Sequence, residues 1–337
     1  MIPTPVISAQ HLDIGYRTGG EGVKCVHCNL DIALYAGELT CLLGANGAGK
    51  STLLRTLSGS QPTLSGDVWV NGTMLKGMSR HNLSRTIGLV LTDKTAIGGL
   101  TVREVVALGR QPHTGFFGRL SAHDKVVVDQ SLEACGIADK QSRYMASLSD
   151  GERQKVMIAK ALAQECPIVL LDEPTAFLDI VRRIEGMSLL HRIAVEHHRA
   201  ILLSTHDIEQ ALVLSDRLWL LSRENGLVTG VTEDLILSGG FNNLFPHTEI
   251  HFDPLHGSYY PTVQRRKTIV VECVDETLLH WTVNMLNRNG YGVSFDSGTS
   301  AIPMLRVVNR QNLVWKDTGC EVALHSFDEL SQFLRER

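Results

Sequence analysis

The octapeptide Gly44-Ala45-Asn46-Gly47-Ala48-Gly49-Lys50-Ser51 constrains this chain more than any other stretch. It fits G-x-x-x-x-G-K-[ST], with an apolar run, Glu38 to Leu43, before it and a helix-forming run, Lys50 to Leu57, after it. Strand, glycine turn and helix in that order aim backbone N–H groups and the positive end of a helix at one point, which is an anion cradle. In such a loop the lysine neutralises β- and γ-phosphate oxygens and the serine hydroxyl ligates Mg²⁺. A chance match arises in about one chain per hundred of this length at average residue frequencies, before that context is demanded. The loop therefore predicts an α/β fold.

Two further apolar runs extend the argument. Ile168 to Leu171 ends in Asp172-Glu173, and Ala200 to Leu203 ends in Ser204-Thr205-His206-Asp207. Continuous rather than alternating apolarity marks strands buried on both faces of a parallel sheet. Ligands of such sheets bind beyond the carboxyl ends of the strands. Asp172 is then placed to hold Mg²⁺ through water, and Glu173 to polarise an attacking water as general base. Alone, two acids after a strand are more often a turn or a helix cap; beside a phosphate loop the catalytic reading prevails. His206 ends a strand of the same sheet and can reach a γ-phosphate. Leu148-Ser149-Asp150-Gly151-Glu152 opens a helix running to Ala163. Ser149 and Glu152 have the spacing of a capping box, and a serine and glycine at a helix start also suit a phosphate.

At 337 residues the chain exceeds what one core fills, so a second domain is expected. Residues 1–240 carry every motif above, with a helical subdomain at about 95–160 where the strand signal fades. Residues 241–260, where Gly, Asn, Pro and His accumulate, read as an exposed linker. Residues 261–337 read as a small α+β domain. Its helix, Glu276 to Asn289, puts Leu278, Thr282, Met285 and Leu286 on one face, and Ser326 with Glu329 caps a last helix.

Composition narrows the class. With 43% hydrophobic and 20% charged residues and a mean hydropathy of +0.01, the chain is neither disordered nor a disulfide scaffold. A net charge of −4 offers no basic surface, so no nucleic-acid partner is expected. Met1 to Tyr16 lacks the features of a signal peptide, and no apolar run approaches the ~20 residues of a membrane span. Seven scattered cysteines suit a reducing compartment. The lone Cys25-x-x-Cys28 around His27 reads as a buried structural pair, because zinc sites usually show two ligand pairs. His247, His251 and His256 read as exposed linker residues, with metal binding the lesser alternative.

With its four elements in this order, the chain resembles an ATP-binding cassette (ABC) ATPase over roughly Val6 to Thr232. The resemblance implies that Gly44 to Ser51, with Thr52 behind, is the Walker A loop and that Asp172-Glu173 ends Walker B. It also implies that Leu148 to Glu152 is the signature, Ala176-Phe177-Leu178-Asp179 the D-loop, and His206 the switch histidine. Tyr16 matches the aromatic that stacks on adenine. ATP and Mg²⁺ are the implied ligands, and two ATPs are held between two cassettes, each Walker A facing the partner's signature. One set of motifs per chain then implies a homodimer.

Two departures stand out. The signature carries Asp150 and Glu152 where the family has Leu-Ser-Gly-Gly-Gln, so Asp150 is expected to point away or cap the helix. After the strand Ile87 to Leu91, Thr92-Asp93 replaces the family's Gln, leaving the Thr92 hydroxyl as a candidate Mg²⁺ ligand. Leu100 to His113 (LTVREVVALGRQPH) is similar to the corresponding stretch in type II importers of iron-siderophores, haem and cobalamin. That implies a peripheral subunit on the cytoplasmic side of the membrane, energising import of a metal chelate, iron-siderophore foremost. Two membrane-spanning permease subunits and, indirectly, an extracytoplasmic substrate-binding protein are its implied partners. The alternatives are the ATP-binding subunit of another ABC transporter and a soluble non-transport cassette. The latter typically has tandem cassettes or a long coiled coil, and this chain has one Walker A and no sustained heptads.

Overall fold

The computed structural model of the chain describes residues 4–17, 22–91, 99–115, 118–175, 178–246, 248–262, 267–294, 302–317 and 319–336. It divides into two units: residues 1–248 with Phe252–Tyr259, and residues 249–251 with Tyr260–Arg337.

The first unit is built on a six-stranded sheet in the order Gly226–Val231, Arg217–Ser222, Leu39–Leu43, Ala200–Ser204, Ile168–Asp172, Ile87–Val90. Four of its five pairings are parallel, and at the edge Gly226–Val231 runs antiparallel to Arg217–Ser222. Every residue of Leu39–Leu43, Ile168–Asp172 and Ala200–Ser204 is buried. Alternate residues serve opposite cores. Cys41, Leu43, Val169, Leu171, Ile201 and Leu203 face the helices Val102–Ala107, Ala122–Ala134, Asp150–Ala163 and Ile180–Glu196. Leu42, Ile168, Leu170 and Leu202 face the helix Lys50–Leu57 and a four-stranded antiparallel sheet led by Ile7–Arg17 and Val23–Leu34. Two-sided burial explains why these strands are apolar throughout.

Between the strands ending at Val90 and beginning at Ile168 lies the helical insertion. Capping boxes at Thr101/Glu104, Ser121/Asp124 and Ser149/Glu152 start its three main helices. Arg110, only 2% exposed, ties them together. Its guanidinium donates to Asp124 Oδ1 at 2.8 Å, the Ala163 carbonyl at 2.7 Å and Glu165 Oε2 at 2.6 Å. A buried charge needs such a full set of acceptors.

Two expectations are corrected here. Cys25 and Cys28 are not buried: both are exposed and joined as a disulfide, and His27 between them takes the inward place on the strand. Residues 241–260 are not an exposed linker. They form a short helical turn, Gly240–Asn243, and a hairpin, Ile250–Asp253 with Ser258–Pro261. Phe241, Leu244 and Phe252 are buried in the first unit's core, with Phe241 stacked on Phe252 at 4.5 Å. Aromatic residues spaced through a Gly- and Pro-containing stretch supply enough apolar area to pack it. His251 and His256 are exposed, His256 bonding Asp253, while His247 lies outside the described residues. Among the described residues no three metal-ligating side chains cluster and no helix is long and apolar enough to cross a membrane.

The second unit has a five-stranded sheet, ordered Tyr291–Ser294, Lys267–Cys273, Met304–Asn309, Asn312–Asp317, Cys320–Leu324. The first three strands are parallel and the last two antiparallel. Helices Glu276–Arg288 and Phe327–Arg335 pack Leu286, Leu330 and Leu334 over Val271, Leu305, Leu313 and Trp315.

Candidate nucleotide site

The three buried strands of the first unit end side by side, and their ends carry the candidate residues. Walker A begins where Leu39–Leu43 stops. Gly47 (φ +72°) and Gly49 (φ +104°) adopt left-handed backbone, and a Cβ on Gly49 would lie 2.7 Å from Val26 Cγ1. Only glycine fits that close approach. Two side chains hold the loop from behind: His27 Nε2 lies 2.5 Å from the Ala48 carbonyl oxygen, and Arg223 Nη2 donates to that of Gly47 at 2.9 Å. Lys50 is buried and donates to the carbonyls of Gly44, at 2.8 Å, and Ala45, at 3.3 Å. Burial lowers its pKa, opposed by the carboxylates of Glu173 and Asp172. Tyr16, 41% exposed, bonds through its hydroxyl to Thr52 Oγ1 at 2.7 Å, which fixes the ring above the helix start.

Asp172 and Glu173 follow on the neighbouring strand. Ser204 from the next strand joins them: its Oγ donates to Asp172 Oδ1 at 2.7 Å and accepts from the Glu173 N–H at 2.9 Å. Glu173 has φ +48°, a conformation a non-glycine residue rarely holds unless its surroundings impose it. That turn brings Glu173 Oε1 against His206 Nε2, so the two expected catalytic side chains are in direct contact. Thr92 lies outside the described residues, as do Ala176 and Phe177 of the D-loop.

The signature residues occupy the start of Asp150–Ala163. Ser149 is the N-cap and accepts from the Glu152 N–H, while Glu152 accepts from the Ser149 N–H at 2.9 Å. Asp150 points outward, its side chain 71% exposed and paired with Arg153. Glu152 is ion-paired with Lys140, and that bond holds its carboxyl down to a pKa of about 2. Both acids of the unusual signature are thus offset by cations. Arg182 donates to Ser149 Oγ at 3.4 Å from the helix that Asp179 caps.

Sequence reasoning named the loop, the two acids, His206 and the signature, and the first unit brings the loop, acids and histidine to adjoining strand ends. It missed Ser204, although that residue stands in the quoted Ser-Thr-His-Asp run. It also missed Arg223, His27 and Lys140, which no local pattern marks, because each acts on a backbone carbonyl or a side chain far away in sequence.

A cradle of left-handed glycines, a buried lysine and a carboxylate–imidazole pair define a nucleoside triphosphate-hydrolysing site. Residues 28–176 match the ABC transporter family, and residues 266–335 match the iron ABC transporter C-terminal domain. The iron(3+)-hydroxamate import ATP-binding protein of Bacillus subtilis is 35% identical over 249 residues, 74% of this chain and 91% of that protein. The ferric enterobactin transport ATP-binding protein of Escherichia coli K12 is 36% identical over 219 residues, 65% of this chain and 81% of that protein. A metal-chelate type ABC transporter in an inward-facing conformation superposes with a TM-score of 0.60 at 27% identity, covering 76% of this chain and 95% of that one. A dimeric bacterial ABC transporter cassette superposes at 0.59 with 25% identity, covering 67% and 98%. The chain belongs to the ABC transporter ATP-binding family and is an ABC-type ATPase subunit.

Proposed function

We propose that this chain hydrolyses ATP to energise import of a metal chelate, iron-siderophore foremost, through a separate membrane permease. The observation that carries the reading is the contact of Glu173 with His206 at strand ends adjoining the phosphate loop. Relatives named for ferric hydroxamate and ferric enterobactin transport support the cargo. The loop N–H groups and Lys50 take the phosphates, Lys50 exchanging its bonds to Gly44 and Ala45 for phosphate oxygens. Tyr16 stacks on the adenine. Ser51 and Asp172 are hard oxygen donors of the kind Mg²⁺ prefers, and they would hold it. When bound, Mg²⁺ neutralises charge on the β- and γ-phosphates. Glu173 accepts the proton of the attacking water, while His206 holds that carboxylate and the water in line. A second copy of the chain supplies Ser149 and Gly151 to the nucleotide from the opposite side, and its D-loop Asp179 meets the same interface. The assembly is a cassette dimer on the cytoplasmic face of two permease subunits, fed by an extracytoplasmic binding protein.

The test is the ATPase rate of the chain assembled with its permease, with binding protein added empty or loaded. A ferric siderophore should stimulate hydrolysis. Stimulation by haem or cobalamin alone would reassign the cargo, and stimulation by none of them would sink the metal-chelate reading. Absence of hydrolysis altogether would sink the ATPase.

A further inference from the structure

The hairpin Ile250–Asp253/Ser258–Pro261 has a foot in each unit. Phe252 to Tyr259 belong to the cassette, whereas Ile250, His251 and Tyr260 onward belong to the C-terminal unit. Its cassette end is anchored with care. Tyr259 donates its hydroxyl to the Phe241 carbonyl at 2.6 Å and packs against Phe245 and Phe252 with ring centroids 5.0 and 5.1 Å away. Asp253 closes the turn by accepting from the Leu255 N–H at 2.8 Å and bonding the His256 ring at 2.6 Å.

Gly257 at the end of the turn, with Ser258 and Tyr259 opening the second strand, borders the short helix Ile208–Leu214 that follows the switch histidine. A Cβ on Gly257 would lie 3.0 Å from Leu212 Cδ1, and Ile208, Leu212 and Tyr259 pack against one core. Between hairpin and helix lies a cavity of about 300 Å³ lined by Arg183, His206, Asp207, Glu209, Ser258 and Tyr259. His206 therefore has open space on this side, its side chain 45% exposed. The switch segment is held besides by Asp207, which accepts from Arg183 at 2.7 Å and from the Gln210 N–H at 3.1 Å, and by the Thr205 N–H, which donates to the Leu42 carbonyl at 3.2 Å.

We propose that this hairpin, through Gly257 in its turn and the Tyr259 that anchors it, is a positioning element for the switch histidine. Tyr259 anchors the hairpin on Phe241, Phe245 and Phe252, the anchored hairpin rests Gly257 on Leu212, and the braced helix aims His206 at Glu173. Tyr259 acts only through the hairpin and that helix. The inference rests on the ATPase reading and deepens it.

The test compares Tyr259→Ala with Tyr259→Phe in the full chain assembled with its permease, in wild-type and His206→Gln backgrounds. Hydrolysis is followed in single turnover, and rates are expressed per nucleotide site counted with a labelled ATP analogue. Misplacing a catalytic group by about 1 Å can cost about a hundredfold, so Tyr259→Ala should lower kcat per site by about ten- to a hundredfold. KM for ATP should stay within about twofold, since binding lies with Walker A and Tyr16. Tyr259→Phe keeps the rings and should recover most of the rate. In the His206→Gln background Tyr259→Ala should cost nothing further, because residues acting as one unit are non-additive. An unchanged kcat per site, or an equal loss in both backgrounds, would overturn the proposal and leave Tyr259 a packing residue. A wild-type chain that binds but never hydrolyses ATP would fail the ATPase reading instead.

Discussion

The six-stranded and five-stranded sheets of this protein use parallel strands and crossover helices alike, yet only the six-stranded one gathers chemistry. In the six-stranded sheet three adjacent strands are buried along their whole length. Few polar side chains find a place on either face, buried Thr40 among them, and the others that the sequence retains gather at the strand ends, where Lys50, Asp172, Glu173, Ser204 and His206 meet. The five-stranded sheet is covered by helices over Val271, Leu305, Leu313 and Trp315, and its other face carries the pairs Glu272–Arg306 and Lys316–Glu321. Its polarity is spread across a surface rather than concentrated at an edge. Two-sided burial makes a site, and one-sided burial makes a scaffold.

The hardest blow to this contrast is a single-atom change at a strand end. Glu173→Gln keeps the shape of the side chain and removes its basicity. Hydrolysis should fall about 10²- to 10⁴-fold, the usual contribution of a positioned general base, while ATP binding persists. Turnover near the wild-type rate would show that the strand-end cluster is not the catalytic centre. On the other sheet, Trp315→Ala empties a fully buried position flanked by Tyr291 and Phe333. It should cost about 3–5 kcal/mol of stability, read in denaturant unfolding of the full chain, with nucleotide affinity unchanged. A loss of ATP binding as large as the loss of stability would mean the scaffold is part of the site.

Buried charge gives a subtler test within the cassette. Asp124 has its pKa lowered from 3.8 to about 2, first by hydrogen bonds from the Ser121 hydroxyl and N–H and then by Arg110. A carboxyl whose folded pKa is depressed stabilises the fold above its unfolded pKa and loses that contribution as pH falls. The stabilisation should therefore be complete above about pH 4, decline below it and vanish below about pH 2. Asp124→Asn should melt lower than wild type at neutral pH, and the gap should narrow through that acid window. A gap that stays constant down to pH 2.5 would place the carboxyl's effect in shape rather than charge.

How much of this was legible in the sequence follows the same division. The cassette could be read because its strands have no alternative face: an apolar run ending in Asp-Glu or Ser-Thr-His-Asp announces both a buried strand and what waits at its end. The signature helix was legible because capping spacing is local. Ser204, Arg223 and Lys140 were not, since their roles exist only after distant strands and helices are brought together. The stretch 241–260 reads as linker for a related reason. Gly, Pro and His mark a break in regular structure, but the burial of Phe241 and Phe252 is decided by a core that lies elsewhere in the chain. Cys25 and Cys28 show the limit of counting: a strand position alternates in and out, and His27 took the inward place.

The smallest effect belongs to the open face of the second sheet. Arg306 donates to Glu272 at 2.8 Å, with side chains 54% and 39% exposed. Water screens both charges, and ordering two long side chains offsets much of their attraction, so such a pair contributes about 0.2–1 kcal/mol. Arg306→Ala should shift the unfolding midpoint correspondingly little, and the shift should shrink further in high salt. Against the removal of Arg110, whose partner Asp124 is buried, the contrast should be severalfold, because there an uncompensated carboxylate is left inside. If Arg306→Ala proved as damaging as Arg110→Ala, the face that bears it would have to be covered in the working protein. The second sheet would then be buried on both sides like the first, and the C-terminal unit would hold a contact surface rather than a solvated one.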